Sequence, residues 1–537
     1  MLSSAVEEAV DNNNYYYYLQ ACKSIAEQIE SSRNLLSIRQ VLRVVRQVAS
    51  EYHLHTIPRN EHIIQYLQDS RYRQLLMVKP AKTASGVAIV AVMPKPYGCP
   101  HGRCTYCPGG MEFNTPLSYT GTEPATKAAQ RFSYDPYQQV RSKMEQLQLR
   151  GHDTGKTEIV IVGGTFPFMP ADYQRQFAKS CYDALNCKKS STLQQAIAAN
   201  ETANNRCVGF TIETKPDYCK ESHINLMLEL GVTRIEIGVQ CLDNNVYKLT
   251  NRGYTLDDVV HAFKIARDAG YKIVAHMMPG LPGSSSEKDI EDFRRLFEDD
   301  AFKPDMLKIY PTLVLEHTGL FKIHQSGKYQ AYSDDELMNV IVEAKKLVPE
   351  WVRIMRIQRE IESKDIIAGP KSGNLRQIAL QKLRQQGYTC KCIRCRETGL
   401  QRRYPAEDEV ILRRTDYFAS GGREIFLSWE SKGGDNNTIL GFLRLRKVAG
   451  SHRRELDGTA VVRELHVYGQ AVSVGRKEIG DSYQHRGYGM KLLKEAERIA
   501  KDELGVNKIA VISAVGTRQY YKKLGYWQDG PYVSKVL

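Results

Sequence analysis

The chain has 537 residues, 42% of them hydrophobic, more than one core usually serves, so two catalytic domains plus an extra region are expected. No apolar run approaches the ~20 residues of a membrane span and the start lacks a basic-then-apolar leader, which excludes membrane and secreted classes and predicts a cytoplasmic protein. A net charge of +14 points to a polyanionic partner, and 12 cysteines, six of them in two triplets, point to metal in a reducing compartment rather than disulfides.

Residues 1–78 read as a helical region. The tract Asn12 to Tyr18 is low-complexity and is assigned no function. Leu35 to Ala49 has helical periodicity, with Arg39, Arg43 and Arg46 as a basic stripe beside an apolar face of Leu35, Ile38, Leu42 and Val45. That stripe is a candidate RNA contact and equally the wet side of a helix.

The most specific motif follows. Cys99, Cys104 and Cys107 form C-x4-C-x2-C within an aromatic and glycine-rich run from Tyr97 to Gly110. Three thiolates fill three of four cluster corners and leave one iron open to chelate a small molecule. This arrangement resembles that of radical S-adenosylmethionine (SAM) enzymes, where the open iron of a 4Fe-4S cluster takes the methionyl amino and carboxylate groups. The competing reading is a Cys3His zinc loop completed by His101.

Apolar runs at 88–94, 158–162, 207–212, 234–239, 272–276 and 306–310 alternate with helix-length stretches such as Leu256 to Ala269 and Glu287 to Phe297. Six such units predict an α/β fold, a parallel and partly closed (βα)6 barrel over residues 79–370. Loops after barrel strands carry the chemistry. There Gly163 and Gly164 allow backbone contact with SAM, and Glu213 and Gln240 are candidates to hold its ribose and methionyl groups, the alternative being ordinary tight turns.

Between Arg353 and Arg403 stand 13 basic and 4 acidic residues, a local balance of +9. A basic belt there suits a polyanion spanning two active sites, or is a solvated linker. Inside it, over residues 371–405, Cys390, Cys392 and Cys395 form C-x-C-x2-C. Three soft ligands on one loop fit a structural zinc, with His452 or His466 as fourth ligand if the fold brings either near; a second cluster or free thiols fit the same spacing.

Residues 406–537 read as a second α/β domain. Strand-like runs at 424–429, 438–446 and 459–468 lead to the turn Gln484-His485-Arg486-Gly487-Tyr488-Gly489, which opens a helix with Leu492, Leu493, Ala496 and Ile499 on one side. A glycine turn entering a helix N-terminus seats phosphate, and this one resembles motif A of the GNAT acetyltransferases. The preceding strand, Glu464-Leu465-His466-Val467, would then pair with a pantetheine arm. Lys508 to Val515 reads as the next strand and Thr517 to Leu524 as a short helix carrying Tyr520 and Tyr521, candidates to bond the CoA sulfur or protonate a leaving thiolate.

Together with Glu464 to Gly469 and Gly516 to Tyr521, this order of modules resembles the catalytic subunit of Elongator, the third Elongator protein family, over roughly residues 55–537. The resemblance implies an enzyme that makes 5-carboxymethyluridine at the tRNA wobble position from acetyl-CoA and SAM. It implies contact with the anticodon region of tRNA, an electron donor and Elongator-type partner subunits. By the same likeness Cys99, Cys104 and Cys107 hold the cluster. Acetyl-CoA falls to Lys156, Glu464, Leu465, His466, Val467, Tyr488, Gly489, Met490 and Tyr521, beside Gln484 and Gly487 of the turn. The catalytic assignments are Lys156, Tyr520 and Tyr521. The family's Arg-Asp-Ile-Pro reads Arg359-Glu360-Ile361-Glu362 here, a local departure. Because C5 of uracil does not attack a thioester unaided, the expected chemistry is radical addition of the acetyl carbon followed by thioester hydrolysis. Two other readings compete: a protein lysine acetyltransferase with a structural cluster, poorly matched to basic tails by its own charge, and a non-catalytic RNA scaffold, which would not need both ligand sets.

Overall fold

A computed structural model describes residues 12–32, 34–401, 403, 405–433, 437–469 and 487–537. The chain forms two compact units, one of Met1–Thr83 with Ser142–Thr154, the other of Ala84–Arg141 with Gly155–Leu537.

The first unit is helical. Helices α1 (Asn12–Glu30) and α2 (Ile38–Glu51) share a core of Ala21, Ile25, Ile29, Val41, Val45 and Val48. Ser37 caps α2 by accepting the Gln40 N–H while Gln40 returns the bond. Starting the helix at Ile38 turns Val41, Val45 and Val48 inward, at i, i+4 and i+7. Leu35, Ile38 and Leu42, expected on the apolar face, are instead exposed beside exposed Arg39, Arg43 and Arg46. The 142–154 segment is tied in by Arg150 to Glu61 (3.3 Å) and by His152, which meets Thr83 Oγ1 at 2.9 Å and the Val78 carbonyl at 3.0 Å.

The second unit opens with a parallel sheet in the order β1 (Ala88–Val92), β2 (Lys156–Ile161), β3 (Arg206–Thr214), β4 (Arg234–Gln240), β5 (Lys272–Met277), β6 (Met306–Ile309) and β8 (Arg353–Ile357). The six anticipated strands are present. The seventh, β8, lies in the Arg-rich segment read as a belt; a register shift in its pairing with β6 spaces its buried Ile354 and Ile357 three apart, so no period-2 pattern marks it in the sequence. Short β7 (Val314–Leu315) and β9 (Ile366–Ala368) form an antiparallel pair.

A mostly antiparallel sheet follows, in the order β10 (Val410–Ala419), β11 (Gly422–Ser431), β12 (Ile439–Lys447), β13 (Thr459–Val467), β14 (Lys508–Val511), β16 (Tyr532–Val536) and β15 (Trp527–Asp529). Leu492, Leu493, Ala496 and Ile499 pack into its core as their spacing requires. Buried ion pairs join this sheet to the barrel. Arg463 meets Asp305 at 2.6 Å and Glu424 at 2.8 Å, and Arg446 meets Asp268 at 2.6 Å and Glu424 at 3.0 Å. Burial opposes the charge on Asp305, but Arg463 and Arg444 outweigh it and hold the carboxyl well below the usual range. Removing one partner would strand a buried charge, at a cost of about 3–5 kcal/mol. Such pairs make the barrel and the second sheet one body.

Candidate active site

The cysteine loop sits at the C-terminal ends of the barrel strands. It follows β1 and is pinned from two sides: Thr105 N–H donates to the Thr250 carbonyl (3.1 Å), Asn251 Nδ2 donates to the Arg103 carbonyl (2.9 Å), and Leu320 N–H donates to the Thr105 carbonyl (2.6 Å). Gly253 lies so close to His101 that no side chain fits there. Around the thiols stand N–H donors. Arg252 Nη1 and His101 Nε2 each approach Cys104 Sγ at 3.2 Å, and Ser118 N–H donates to Cys107 Sγ at 3.1 Å. Burial, and next the neighbouring Cys104, push the Cys107 thiol up to about 11. N–H donors behind two of the three thiols suit ligation of an iron-sulfur cluster, whose bridging and terminal sulfurs take such bonds.

The SAM candidates converge on the same end. Gly163 (φ 121°) and Gly164 (φ 102°) follow β2 in a conformation few other residues adopt, and a methyl on Gly163 would meet Met93 and Pro116 at 3.2 Å. Glu213 Oε2 accepts the Gly163 N–H at 3.2 Å. Gln240, at φ 74°, ends β4 with a buried Oε1 that has no partner. An unpartnered buried amide oxygen beside glycines is what a ligand donor would satisfy.

The interior between the strands is charged. Phe210 packs on Tyr182 of the helix Ala171–Asn186, so Thr211 on the opposite face of β3 points into the barrel. Thr211 Oγ1 donates to Glu158 (2.9 Å), which pairs with Arg234; further along, Glu236 pairs with Lys308 and with His276 (2.8 Å). Burial would raise the Glu236 carboxyl, yet Lys308 and His276 hold it far below the usual range. Closed (βα)8 barrels fill this space with branched apolar residues. Sequence reasoning passed over these groups, although Arg234-Ile235-Glu236-Ile237 alternates charge with apolar residues in a strand meant to be buried on both faces.

At the opposite end, where the strands begin, stand the acyl-group candidates. Lys156 opens β2 and pairs in register with Arg206. Gly516 rests on Arg206 and Cys207, where a methyl would meet Arg206 Cβ at 2.5 Å, and the turn it starts runs into the helix Arg518–Lys522 with Tyr520 and Tyr521. Their rings meet at 5.2 Å, and Tyr521 is buried. Burial pushes both hydroxyls up, so they carry their protons at neutral pH. Gly487 (φ 82°) caps the helix Tyr488–Arg498, and a methyl on Gly489 would stand 3.5 Å from the Tyr520 hydroxyl and 3.6 Å from Val467. Met490, two residues on, is exposed. Pairing of β13 with β14 runs from Thr459 to Val462, and Glu464, Leu465, His466 and Val467 pair with β12. Their other edge is the kind of strand edge that an extended ligand can join. Glu464 is committed to Arg444 (2.8 Å) and His466 to the Ser85 carbonyl (3.1 Å), so their side chains serve structure. Gln484 lies outside the described residues.

Cys390, Cys392 and Cys395 bring their sulfurs within 4.8 Å of one another. Neither expected histidine joins them, since His452 meets Asn225 (3.0 Å) and His466 faces Ser85. Buried Lys345 takes that side instead, 3.2 Å from Cys390 Sγ. The belt is also less exposed than its composition suggested. Arg353 is spent on Glu397 and Tyr468, and Arg396 on Glu430 (3.0 Å), while Lys371, Arg384 and Lys391 remain exposed.

Family profiles match along the chain: the ELP3 N-terminal domain over residues 18–84, the radical SAM superfamily over 93–297, its C-terminal domain over 304–385 and the acetyltransferase (GNAT) family over 394–526. The tRNA uridine(34) acetyltransferase of Methanocaldococcus jannaschii is 46% identical, over 89% of this chain and 90% of that protein. Elongator complex protein 3 of Homo sapiens is 44% identical, over 92% and 93%. The chain belongs to the Elp3 family. The solved Methanocaldococcus infernus Elp3, lacking residues 1–46, superposes with a TM-score of 0.74 at 43% identity, covering 84% of this chain and 100% of that one. The fold is therefore a radical SAM barrel of parallel strands followed by a GNAT domain. No helix among the described residues is long and apolar enough to cross a membrane.

Proposed function

We propose that this chain modifies uridine-34 of tRNA, building a carboxymethyl group on C5 from acetyl-CoA in a radical SAM reaction. The observation that carries this reading is the pairing, within one body, of a thiol-lined barrel end with an acyl-group end, in a chain 43–46% identical over most of its length to tRNA uridine(34) acetyltransferases and Elongator complex protein 3. Cys99, Cys104 and Cys107 would hold a 4Fe-4S cluster, and Gly163, Gly164, Glu213 and Gln240 the SAM. When bound, these groups supply one-electron chemistry strong enough to take hydrogen from an unactivated methyl.

The chain's own residues then position the acyl donor. The helix N-terminus at Gly487 to Gly489 seats the pyrophosphate, the β13 edge at Glu464 to His466, past the pairing with β14, takes the pantetheine amides, and Met490 borders the seat. Tyr521, protonated and dry, would donate to the CoA sulfur and release the thiolate, with Tyr520 and Lys156 completing the polar surround. Seven residue steps along and just past β2 separate Lys156 from Gly163, roughly 23 Å of extended chain. The charged interior offers the polar route between the two ends.

Cys390, Cys392 and Cys395 would hold one zinc, since a tight S3 set suits a single ion better than a cluster. Exposed Lys371, Arg384 and Lys391, and separately the Arg39, Arg43 and Arg46 face, would contact tRNA phosphates. A low-potential electron donor and Elongator-type partner subunits complete the cytoplasmic system.

The test is anaerobic incubation of the enzyme with tRNA, SAM, a reductant and acetyl-CoA, with mass spectrometry of wobble nucleosides. Carboxymethyluridine that requires all four supports the proposal. Its absence from an iron-loaded enzyme that acetylates protein lysines would overturn it.

A further inference from the structure

The three cluster-loop thiols are served unequally. Cys99 Sγ has one hydroxyl near it, Thr165 Oγ1 at 3.8 Å, and Cys107 Sγ accepts the Ser118 backbone N–H. Cys104 Sγ receives two side-chain donors, Arg252 and His101.

Arg252 is 7% exposed, and each nitrogen of its guanidinium makes a bond: Nε donates to the Tyr254 hydroxyl (3.0 Å), Nη2 to the Gly238 carbonyl (3.1 Å) and Nη1 to Cys104 Sγ. Its plane lies over the Tyr254 ring at 4.9 Å and near Tyr106 at 6.0 Å. Among the described residues no carboxylate pairs with it. A permanent cation buried without a carboxylate is unfavourable, and Cys104 Sγ, as a cluster ligand, would carry the negative charge that answers it.

His101 is oriented from behind. Lys215 Nζ lies 2.7 Å from His101 Nδ1 and 3.2 Å from Asp217. An ammonium has donors only, so Nδ1 accepts and the ring proton sits on Nε2, aimed at Cys104 Sγ.

We propose that Arg252, seconded by the Lys215-oriented His101, is the built-in counter-charge of the Cys104 corner and sets the reduction potential of the cluster. Two N–H···S bonds and one full positive charge stabilise the reduced, more negative cluster over the oxidised one, since potential follows net charge and hydrogen bonding at the sulfurs. Arg252 touches neither substrate nor SAM in this assignment, so it is a positioning and tuning residue. The inference rests on the cluster reading above.

The experiment is EPR-monitored redox titration of anaerobically reconstituted full-length protein, with iron and sulfide counted in each sample. For Arg252→Met, the ratio of reduced to oxidised cluster at a fixed potential should fall about tenfold, a midpoint shift of about 59 mV downward for a one-electron couple. Arg252→Lys should recover most of it, and His101→Ala should shift the same way by less. If Arg252→Met holds no iron, His101→Ala decides: a lowered midpoint supports the inference and an unchanged one overturns it. Iron-loaded Arg252→Met and His101→Ala proteins that both titrate like wild type would also overturn it. A wild-type protein without iron would instead sink the cluster reading itself.

Discussion

Two cysteine triplets of the same size take opposite forms in this molecule. Cys390, Cys392 and Cys395 close on one another within 4.8 Å, with Lys345 Nζ beside Cys390. Cys99, Cys104 and Cys107 form no such tight set; each turns to a different neighbour, Thr165, Arg252 with His101, or Ser118. A single ion needs ligands packed around one point, while a cluster spreads its corners and needs donors behind each sulfur. The number of cysteines is thus less informative than what the fold places behind them.

The sharpest way to break the comparison is to remove one member of each triplet. Cys104→Ala should lose iron, reductive SAM cleavage and carboxymethyluridine to below detection, while metal analysis still finds about one zinc per chain. Loss of both metals together would mean that the triplets are not independent.

Next in size is the acyl end. Tyr521→Phe should slow acetyl-CoA hydrolysis by about 100-fold, the loss expected for a general acid, with iron content and SAM cleavage unchanged. Hydrolysis should depend on added tRNA in wild type, as an unprompted hydrolase would waste the thioester. A Tyr521→Phe enzyme at full speed removes that residue from the mechanism.

Cys392→Ser tests the tight triplet as structure alone. Zinc should be lost and the melting temperature should fall by roughly 5 °C, with iron retained. Equal melting temperatures with zinc absent from wild type would leave the three thiols unligated.

A smaller effect concerns pH at the cluster end. Asp292, buried and accepting the Leu242 N–H at 2.9 Å, has its carboxyl pushed up to about 7 by burial. A raised folded pKa means the folded state holds the proton more tightly than the unfolded state. The stability it contributes is full below about pH 4 and is lost as pH rises through about 7. Asp292→Asn should abolish that slope and leave the variant a few degrees more stable than wild type above pH 7, measured as melting temperature against pH.

The smallest effect belongs to the belt. Neutralising exposed Lys371, Arg384 and Lys391 should lower the slope of log affinity for tRNA against log salt by roughly 0.7 to 0.9 per contact, leaving melting unchanged. Arg353 and Arg396, counted in the same belt, are bound to Glu397 and Glu430, and their substitution should destabilise the fold instead.

Much of the site was legible because its chemistry is local. Cluster ligands lie within nine residues, Gly163 and Gly164 on one turn, and Gly487 to Gly489 on one helix start. What stayed hidden depends on distant partners: Lys345 on the Cys390 triplet, Arg252 and Lys215 at Cys104, and the ion pairs of Glu158, Arg234, Glu236 and Lys308. A lone charged residue in a strand gives no sign of its partner until register brings another strand beside it.

The sequence by itself determined the two modules, their order, the two cysteine triplets and the glycine turn at the helix start, since each follows from residue types at short spacings. Tertiary structure alone decided three things. It put the thiol end and the acyl end at opposite mouths of one barrel, because parallel strands place all their starts together and all their ends together. It turned Arg353 and Arg396 inward, because buried carboxylates demanded partners. It also denied His452 and His466 to the second triplet, because a side chain already bonded elsewhere cannot reach a ligand site its strand or loop does not face.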